Sequence, residues 1–544
     1  MSRKTGAEAL ADALLAQGVD TLFGLPGGQL DHFFDALYSR QDRLRIISSR
    51  HEQGAAYMAY GYAKSTGKVG VYTVVPGPGL LNSTAALCTA YAANAPVLCI
   101  SGQVPSDGIG SGLGHLHEIP DQLALIRGLT KWAERIEHPS QTPESVAEAF
   151  RQLRSGRTRP VELEMAMDVM GMTAVVSDTH MGKAKPNPPV DAELVSQAAD
   201  VLAAARKPLI IAGGGSIDAG DVLLKLAKRL QAPVITKRHG KGVISDRHYL
   251  SQCLPAGHHL WRDADVVLVV GSRVKMPLTM WGHDDGMQLV RIDIDPEQIR
   301  KPIESDVAMV NDARDAMQAI VEVLESRGVE SPSREDELNA LKAEFRTRFE
   351  RRIGPQLAYL DAIRDALPDD GYFVDEITQV GFSSWYAFPV YHPRHFISAG
   401  HQGTLGYGFA TALGVQVAHP DKAVVAISGD GGFMFNLPEI TTAVQYDIPL
   451  VTIVFNNSMF GNVKRQQDEG FGGRNIAAQL HNPDYLKLAD AVGMRGYRVH
   501  TADDLRVTLE EALAARQPAL IEVPVGDMPS PWQFLLMEQV RGRE

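Results

Sequence analysis

Along the chain, short runs of consecutive apolar residues alternate with longer segments of helical periodicity. The first third carries RIISSR, VGVYTVV and APVLCISG; the middle carries PLIIAGGG, APVITK, DVVLVVGS and LVRIDID; the last carries GYFVDE, AVVAISGDG, PLVTIVFNN and ALIEVPV. A run that is apolar at consecutive positions suits a strand buried on both faces, and strands separated by helices pair in parallel. The pattern predicts an α/β chain of three doubly wound parallel-sheet domains. Periodicity breaks twice, in SDTHMGKAKPNPP near 177–189 and again near 326–336, which divides the chain into 1–176, 190–326 and 337–544.

Bulk composition narrows the function classes. A chain of 544 residues exceeds what one core usually serves, and 44% hydrophobic with 22% charged residues is ordinary for a soluble globular protein. The net charge of -12, from 53 basic against 65 acidic residues, argues against nucleic acid as a partner. No stretch approaches the ~18 consecutive apolar residues of a membrane span, and the first residues lack the apolar run of a signal peptide. Three scattered cysteines, Cys88, Cys99 and Cys253, make neither a disulfide framework nor a zinc site, so a reducing, cytoplasmic compartment is expected.

The chemistry concentrates where AVVAIS (423–428) runs into Gly429-Asp430-Gly431-Gly432 and where a second strand ends at Asn456-Asn457. The 24 residues from 432 to 455 suffice for one helical crossover, so both motifs should land at the carboxyl edge of one sheet. That edge is where open α/β sheets bind ligands, and the helix expected from Phe433 to Tyr446 would offer backbone N–H groups to an anion. Asp430 and the side-chain oxygen of Asn457 are hard ligands suited to Mg²⁺, and glycines at 429, 431 and 432 would let phosphates approach closely. A tight turn with a capping Asp is the plainer reading of GDG alone.

GDG followed by NN at this distance resembles the thiamine diphosphate fingerprint, and the three-block layout resembles the acetolactate synthase and pyruvate decarboxylase superfamily. The resemblance implies a pyrimidine-binding first domain, a central domain that binds FAD in some relatives, and a diphosphate-binding third domain. It implies Asp430, Asn457 and the backbone carbonyl of Met459 as metal ligands. Arg50-His51-Glu52 follows a strand, in a position resembling the glutamate that bonds the cofactor's aminopyrimidine and so promotes deprotonation of its thiazolium carbon. Gly400 to Gly406 resembles the loop that bends the cofactor, with Leu405 as the wedge and Gly403 and Leu405 offering backbone groups to the pyrimidine. Thr378 and Gln379 resemble further diphosphate contacts, or a simple turn. Relatives share each site between two subunits, which implies a homodimer or homotetramer with Glu52 acting across the interface.

Substrate-facing positions divide the subfamilies. Gly28 stands where simple decarboxylases carry an acid, which resembles the carboligases, and Gln29 stands where benzaldehyde lyase has a histidine. His117 occupies the place of a glutamine that faces the reacting carbon and could shuttle protons there. Pro277 replaces an arginine that acetolactate synthases use for the second substrate, Gln466 replaces a tryptophan, and Asn462 a methionine; Lys464 and Arg465 lie nearby. The same departures leave FAD undecided. Phe460, Trp532 and Phe534 either lid the site or pack as ordinary core. These residues together imply an acetolactate-synthase-like carbon–carbon lyase or carboligase acting on a 2-oxo acid or hydroxyketone. The alternatives are a decarboxylase or hydrolase of a polar or cyclic diketone and a catalytically silent cofactor-binding paralogue.

Overall fold

The computed structural model describes residues 2–542. Three six-stranded parallel sheets, each flanked by helices, follow one another along the chain. In spatial order the first sheet runs Arg45–Ser48, Thr21–Gly24, Gly70–Val74, Val97–Gln103, Val161–Ala166, Trp132–Ile136. The third runs Phe396–Ile397, Tyr372–Val374, Val424–Gly429, Val451–Asn456, Ala519–Pro524, Arg495–Arg498. Numbered within each domain, both have the strand order 2-1-3-4-6-5. The middle sheet, from Ser251–Gln252 at one edge to Val307–Met309 at the other, has the order 3-2-1-4-5-6 of the dinucleotide-binding fold. All the strands named from their apolar runs are present, and the runs are apolar throughout because both faces are covered.

Residues 177–191 contain no helix or strand, and the chain re-enters the third domain through the long helix Glu335–Ala366. That helix kinks at Ile353, two residues before Pro355, whose ring removes one backbone donor. A two-stranded antiparallel ribbon of Ser2–Thr5 with Thr173–Val176 ties the start of the chain to the end of the first domain.

Helices Glu52–Thr66 and Tyr407–Ala418 differ from the amphipathic pattern expected of α/β helices. Eleven of the fifteen residues of the former and eleven of the twelve of the latter are buried, because the two helices cross each other between the first and third domains. Glycine makes the crossing possible: a Cβ on Gly61 would lie 2.0 Å from the Thr411 carbonyl oxygen, and one on Gly414 would lie 1.9 Å from that of Met58. One hydrophobic core therefore runs without interruption from Phe23 and Tyr57 to Leu413 and Val454.

Candidate active site

A cleft of about 260 Å³ opens at the carboxyl edge of the third sheet. Four adjacent strand ends build it: Thr378 and Gln379 follow the first strand, Gly429 to Gly432 the next, Asn457 and Met459 the third, and Val525 to Met528 the fourth. The reversal of strand order lies between the first two, which is the ligand-binding position of such sheets. Asp430, Asn457, Met459, Leu405, Thr378, Gln379 and the three glycines thus meet in one wall, whereas Gly403 lies outside it, exposed and with φ +54°.

The crossover between the two motifs is not one helix. It breaks into Asp430–Phe433, a 3₁₀ turn Met434–Asn436, and Glu439–Gln445. Pro438 lacks a backbone donor, and the Asn436 amide leaves the helix register to donate to the Gly406 carbonyl at 2.6 Å. Gly431 is required by packing as well as by ligand approach, since a Cβ there would meet the Phe460 ring at 2.5 Å.

Asp430 is 2% exposed, and among the described residues it has no cationic partner within ion-pair distance. Burial raises its pKa, opposed by a hydrogen bond from Asn482 Nδ2 at 2.7 Å. A buried carboxylate without a countercharge, next to a second oxygen donor on Asn457 and the Met459 backbone, suits a hard divalent cation. Asn482, which sequence reasoning did not identify, also donates to Asn456 Oδ1 at 2.9 Å. Asn456 in turn donates to Glu522, and Glu522 accepts from Arg498, so a polar chain fixes the site from behind. Gln379 Oε1 is buried without a partner, which fits an amide able to turn a donor toward a phosphate.

Glu376 is a second residue that sequence reasoning missed. Fully buried, its carboxyl accepts from the backbone N–H groups of Ile377 and Gly406, each at 3.2 Å, and of Gly408 at 2.7 Å. It thereby holds the turn that carries Leu405. Burial pushes its pKa up to about 8 against the pull of those three donors.

The first-domain residues gather at the corresponding edge of their own sheet, and none of them lines the cleft. Glu52 opens its helix beneath a His51 cap and accepts from Asn82 Nδ2 at 3.1 Å. A third missed residue, Glu439 of the third domain, accepts from the N–H groups of Arg50 and His51 at 3.0–3.2 Å and so sets the direction in which that helix starts. Gln29 and His117, singled out separately, are partners: His117 Nδ1 lies 3.1 Å from Gln29 Oε1, while Gln29 Nε2 donates to the Leu116 carbonyl at 2.9 Å. His117 is in the left-handed region at φ +68°, and its carbonyl crowds Gly77 so closely that a Cβ there would come within 2.3 Å. Gly28 has open space where a side chain would project.

Of the remaining positions, Phe460 and Asn462 line the cleft, Gln466 is exposed and outside its wall, and Pro277 is buried in the middle domain. Trp532 donates to Asn462 Oδ1 at 2.9 Å and braces the wall, while Phe534 packs edge-on against Phe349 in the core.

Comparison with known families agrees with this layout. Residues 4–125 match the thiamine pyrophosphate enzyme N-terminal TPP binding domain, 195–320 the central domain and 376–523 the C-terminal TPP binding domain. The chain is a thiamine pyrophosphate enzyme. It is 33% identical over 95% of its length, and 94% of the relative's, to a probable 2-ketoarginine decarboxylase of Pseudomonas aeruginosa. To a probable acetolactate synthase large subunit of Methanocaldococcus jannaschii it is 32% identical, covering 96% and 92% of the two chains. To the acetolactate synthase large subunit of Haemophilus influenzae it is 31% identical, covering 95% and 93%. This thiamine pyrophosphate enzyme is of the acetolactate-synthase-like type. All but Val525 to Met528 of the cleft's lining falls inside the C-terminal match, while Glu52, Gln29 and His117 fall inside the N-terminal one.

Proposed function

We propose that the chain is a Mg²⁺-dependent carbon–carbon lyase or carboligase acting on a 2-oxo acid or hydroxyketone, with each site shared between two copies of the chain. One observation carries the reading: the cleft has Asp430, Asn457, Met459 and Leu405 in its wall, while Glu52, Gln29 and His117 stand on the matching edge of another sheet and take no part in it. A two-fold assembly would bring one copy's first domain to the other's cleft. The apolar side chains exposed beside His117, Leu113 at 79% and Leu116 at 70%, support a partner there, in a dimer or a tetramer. The relatives named for acetolactate synthesis and 2-ketoarginine decarboxylation support a 2-oxo acid as substrate. The domain limits 1–176, 190–326 and 337–544 belong to the same reading, as does a cytoplasmic location, supported by three free cysteines.

Asp430, Asn457 and the Met459 carbonyl would hold Mg²⁺, with Thr378, Gln379 and the 429–432 turn on the diphosphate and Leu405 bending the cofactor. Thiamine diphosphate supplies an electron sink beside the carbonyl carbon being cut or joined. Glu52 would hold a proton against the aminopyrimidine nitrogen, steadied by Asn82. Gln29 Oε1 accepts from the Nδ1–H tautomer of His117, which leaves Nε2 as the base that moves a proton to or from a substrate oxygen. No acid at Gly28 hands a proton to the nucleophilic carbon, which favours joining a second carbonyl over simple protonation.

A second reading, a decarboxylase or hydrolase of a polar or cyclic diketone, draws on the polar Asn462 in the cleft wall and on the decarboxylase relative. Product mass spectrometry on 2-oxo acids, acyloins and diketones with cofactor and Mg²⁺ decides between them. A new carbon–carbon bond supports the carboligase, carbon dioxide with only an aldehyde or a diketone cleaved with uptake of water to a carboxylic acid supports the second reading, and no turnover by the loaded protein indicates a silent paralogue. FAD stays outside the proposal, because Gly213 and Gly215 are already accounted for by packing onto Gly271. A yellow purified protein would bring the flavin back.

A further inference from the structure

Beyond the cofactor-holding turns, the cleft wall is one side of helix Gly461–Phe471, formed by Asn462, Lys464, Arg465 and Asp468. Lys464 and Asp468 pair with each other at 2.7 Å, and both are more than a third exposed. Arg465 is held differently. Its side chain is only 23% exposed, Nη2 donates to Asn462 Oδ1 at 3.1 Å, and the guanidinium carbon lies 5.7 Å from the centre of the Trp532 ring. The same Asn462 oxygen accepts from Trp532 Nε1, and Trp532 leans on Phe382, another cleft residue, with ring centres 4.8 Å apart. A neutral frame therefore fixes the guanidinium in the wall. Its one carboxylate partner among the described residues, Glu469, is 60% exposed, so water screens that pair and leaves the positive charge largely uncompensated inside the cleft. Among the described residues the buried Nε has no acceptor.

A planar guanidinium with N–H groups to spare, oriented by an amide and an indole, matches a carboxylate in two-point geometry. We propose that Arg465 reads the carboxylate of the acceptor 2-oxo acid, the one that survives into the product, with Asn462 and Trp532 as the residues that position it. The inference rests on the carboligase reading. In that reaction the donor 2-oxo acid releases carbon dioxide, and the electron pair of the broken bond stays on its former carbonyl carbon. That carbon forms the new bond to the acceptor's carbonyl carbon, and the acceptor's carbonyl oxygen takes up a proton. The acceptor carboxylate is unchanged and stays on Arg465 throughout.

The test compares two acceptors that share the CH3–C=O unit and differ in the carboxylate, pyruvate and acetaldehyde, at saturating donor in the holoenzyme. Arg465→Ala is expected to lower kcat/KM for pyruvate as acceptor by about a hundredfold, the scale of a lost charge-assisted pair, and to lower that for acetaldehyde at least tenfold less. Arg465→Lys should restore only part of the loss, because an ammonium lacks the fork. Asn462→Ala should raise KM for pyruvate more than it lowers kcat. A cofactor-induced thermal shift equal to wild type shows that the variants keep the cleft. Equal losses on both acceptors would overturn the inference while leaving the carboligase reading intact. A wild-type protein that releases carbon dioxide from 2-oxo acids but joins neither acceptor overturns the carboligase reading, and the inference with it.

Discussion

At the residue scale the site rests on buried carboxylates with unlike partners. Among the described residues Asp430 has none that is cationic, and Asn482 supports it with a hydrogen bond. If Asn482 orients the metal-binding carboxylate, Asn482→Ala should weaken Mg²⁺-supported cofactor binding about tenfold to a hundredfold, the usual effect of removing a supporting partner. Titrating Mg²⁺ against tryptophan fluorescence measures it, and unchanged half-saturation would rule that role out. Glu376 makes a pH-dependent prediction. Its folded pKa, about 8, exceeds the usual glutamate value, so the protonated form is favoured by folding. Its stabilising effect is complete below the unfolded pKa and is lost as pH rises toward 8. Glu376→Gln mimics the protonated acid and should remove that loss. The thermal midpoint of the variant apoprotein, relative to wild type, should therefore climb between pH 5 and pH 8.5; parallel curves would show that the buried carboxyl does not titrate there. The sequence made Asp430 and Asn457 legible because strand-ending GDG and NN motifs are rare together. Asn482, Glu376 and Glu439 were invisible because each acts on a group distant in sequence, and an acid after a strand or an Asn in a loop carries no local mark.

At the element scale, the strands were legible from consecutive apolar residues, whereas the edge strands Phe396–Ile397 and Arg495–Arg498 were not, since the first has only two residues and the second, RGYR, has no apolar run. The helix expected after GDGG failed at Pro438 and Asn436, where a missing donor and a side-chain bond to Gly406 outweighed helical continuity. The two helices that join the first and third domains show how tertiary packing overrides pattern: they are buried all round because each serves as the other's core. Their approach depends on Gly61 and Gly414, each facing a carbonyl of the opposing helix. Gly61→Ala or Gly414→Ala should destabilise the protein by roughly 1–3 kcal/mol or more, because the added methyl meets rigid backbone rather than a movable side chain. A control at Gly354, where a Cβ would meet nothing within 4 Å, should cost far less. Denaturant midpoints give the comparison, and equal effects at all three positions would mean that the crossing can relax.

At the scale of the whole molecule, the first and third domains repeat one strand order, so each places the candidate side chains at the same carboxyl edge, and under the proposed assembly these two edges would be unlike halves of one site. Strand order cannot be read from apolar runs, which reveal elements and not neighbours; the split between Glu52 and Asp430 came from family resemblance, and their separation within one chain is the geometric counterpart. Symmetry turns this into a quantitative test. Glu52→Gln and Asp430→Ala should each abolish turnover when present in every subunit. In a two-fold dimer made of one subunit of each kind, one shared site has lost both residues and the other has lost neither. Random mixing makes half of the dimers mixed, each with one intact site of two, so co-expressed or reassembled subunits should regain about a quarter of wild-type activity. A tetramer built from such dimers gives the same fraction, because each site still draws on only two chains. If Glu52 instead served the cleft of its own chain, no mixture would contain an intact site. Activity would then stay at the level of the separate variants, and the assignment of the two halves to different subunits would be wrong.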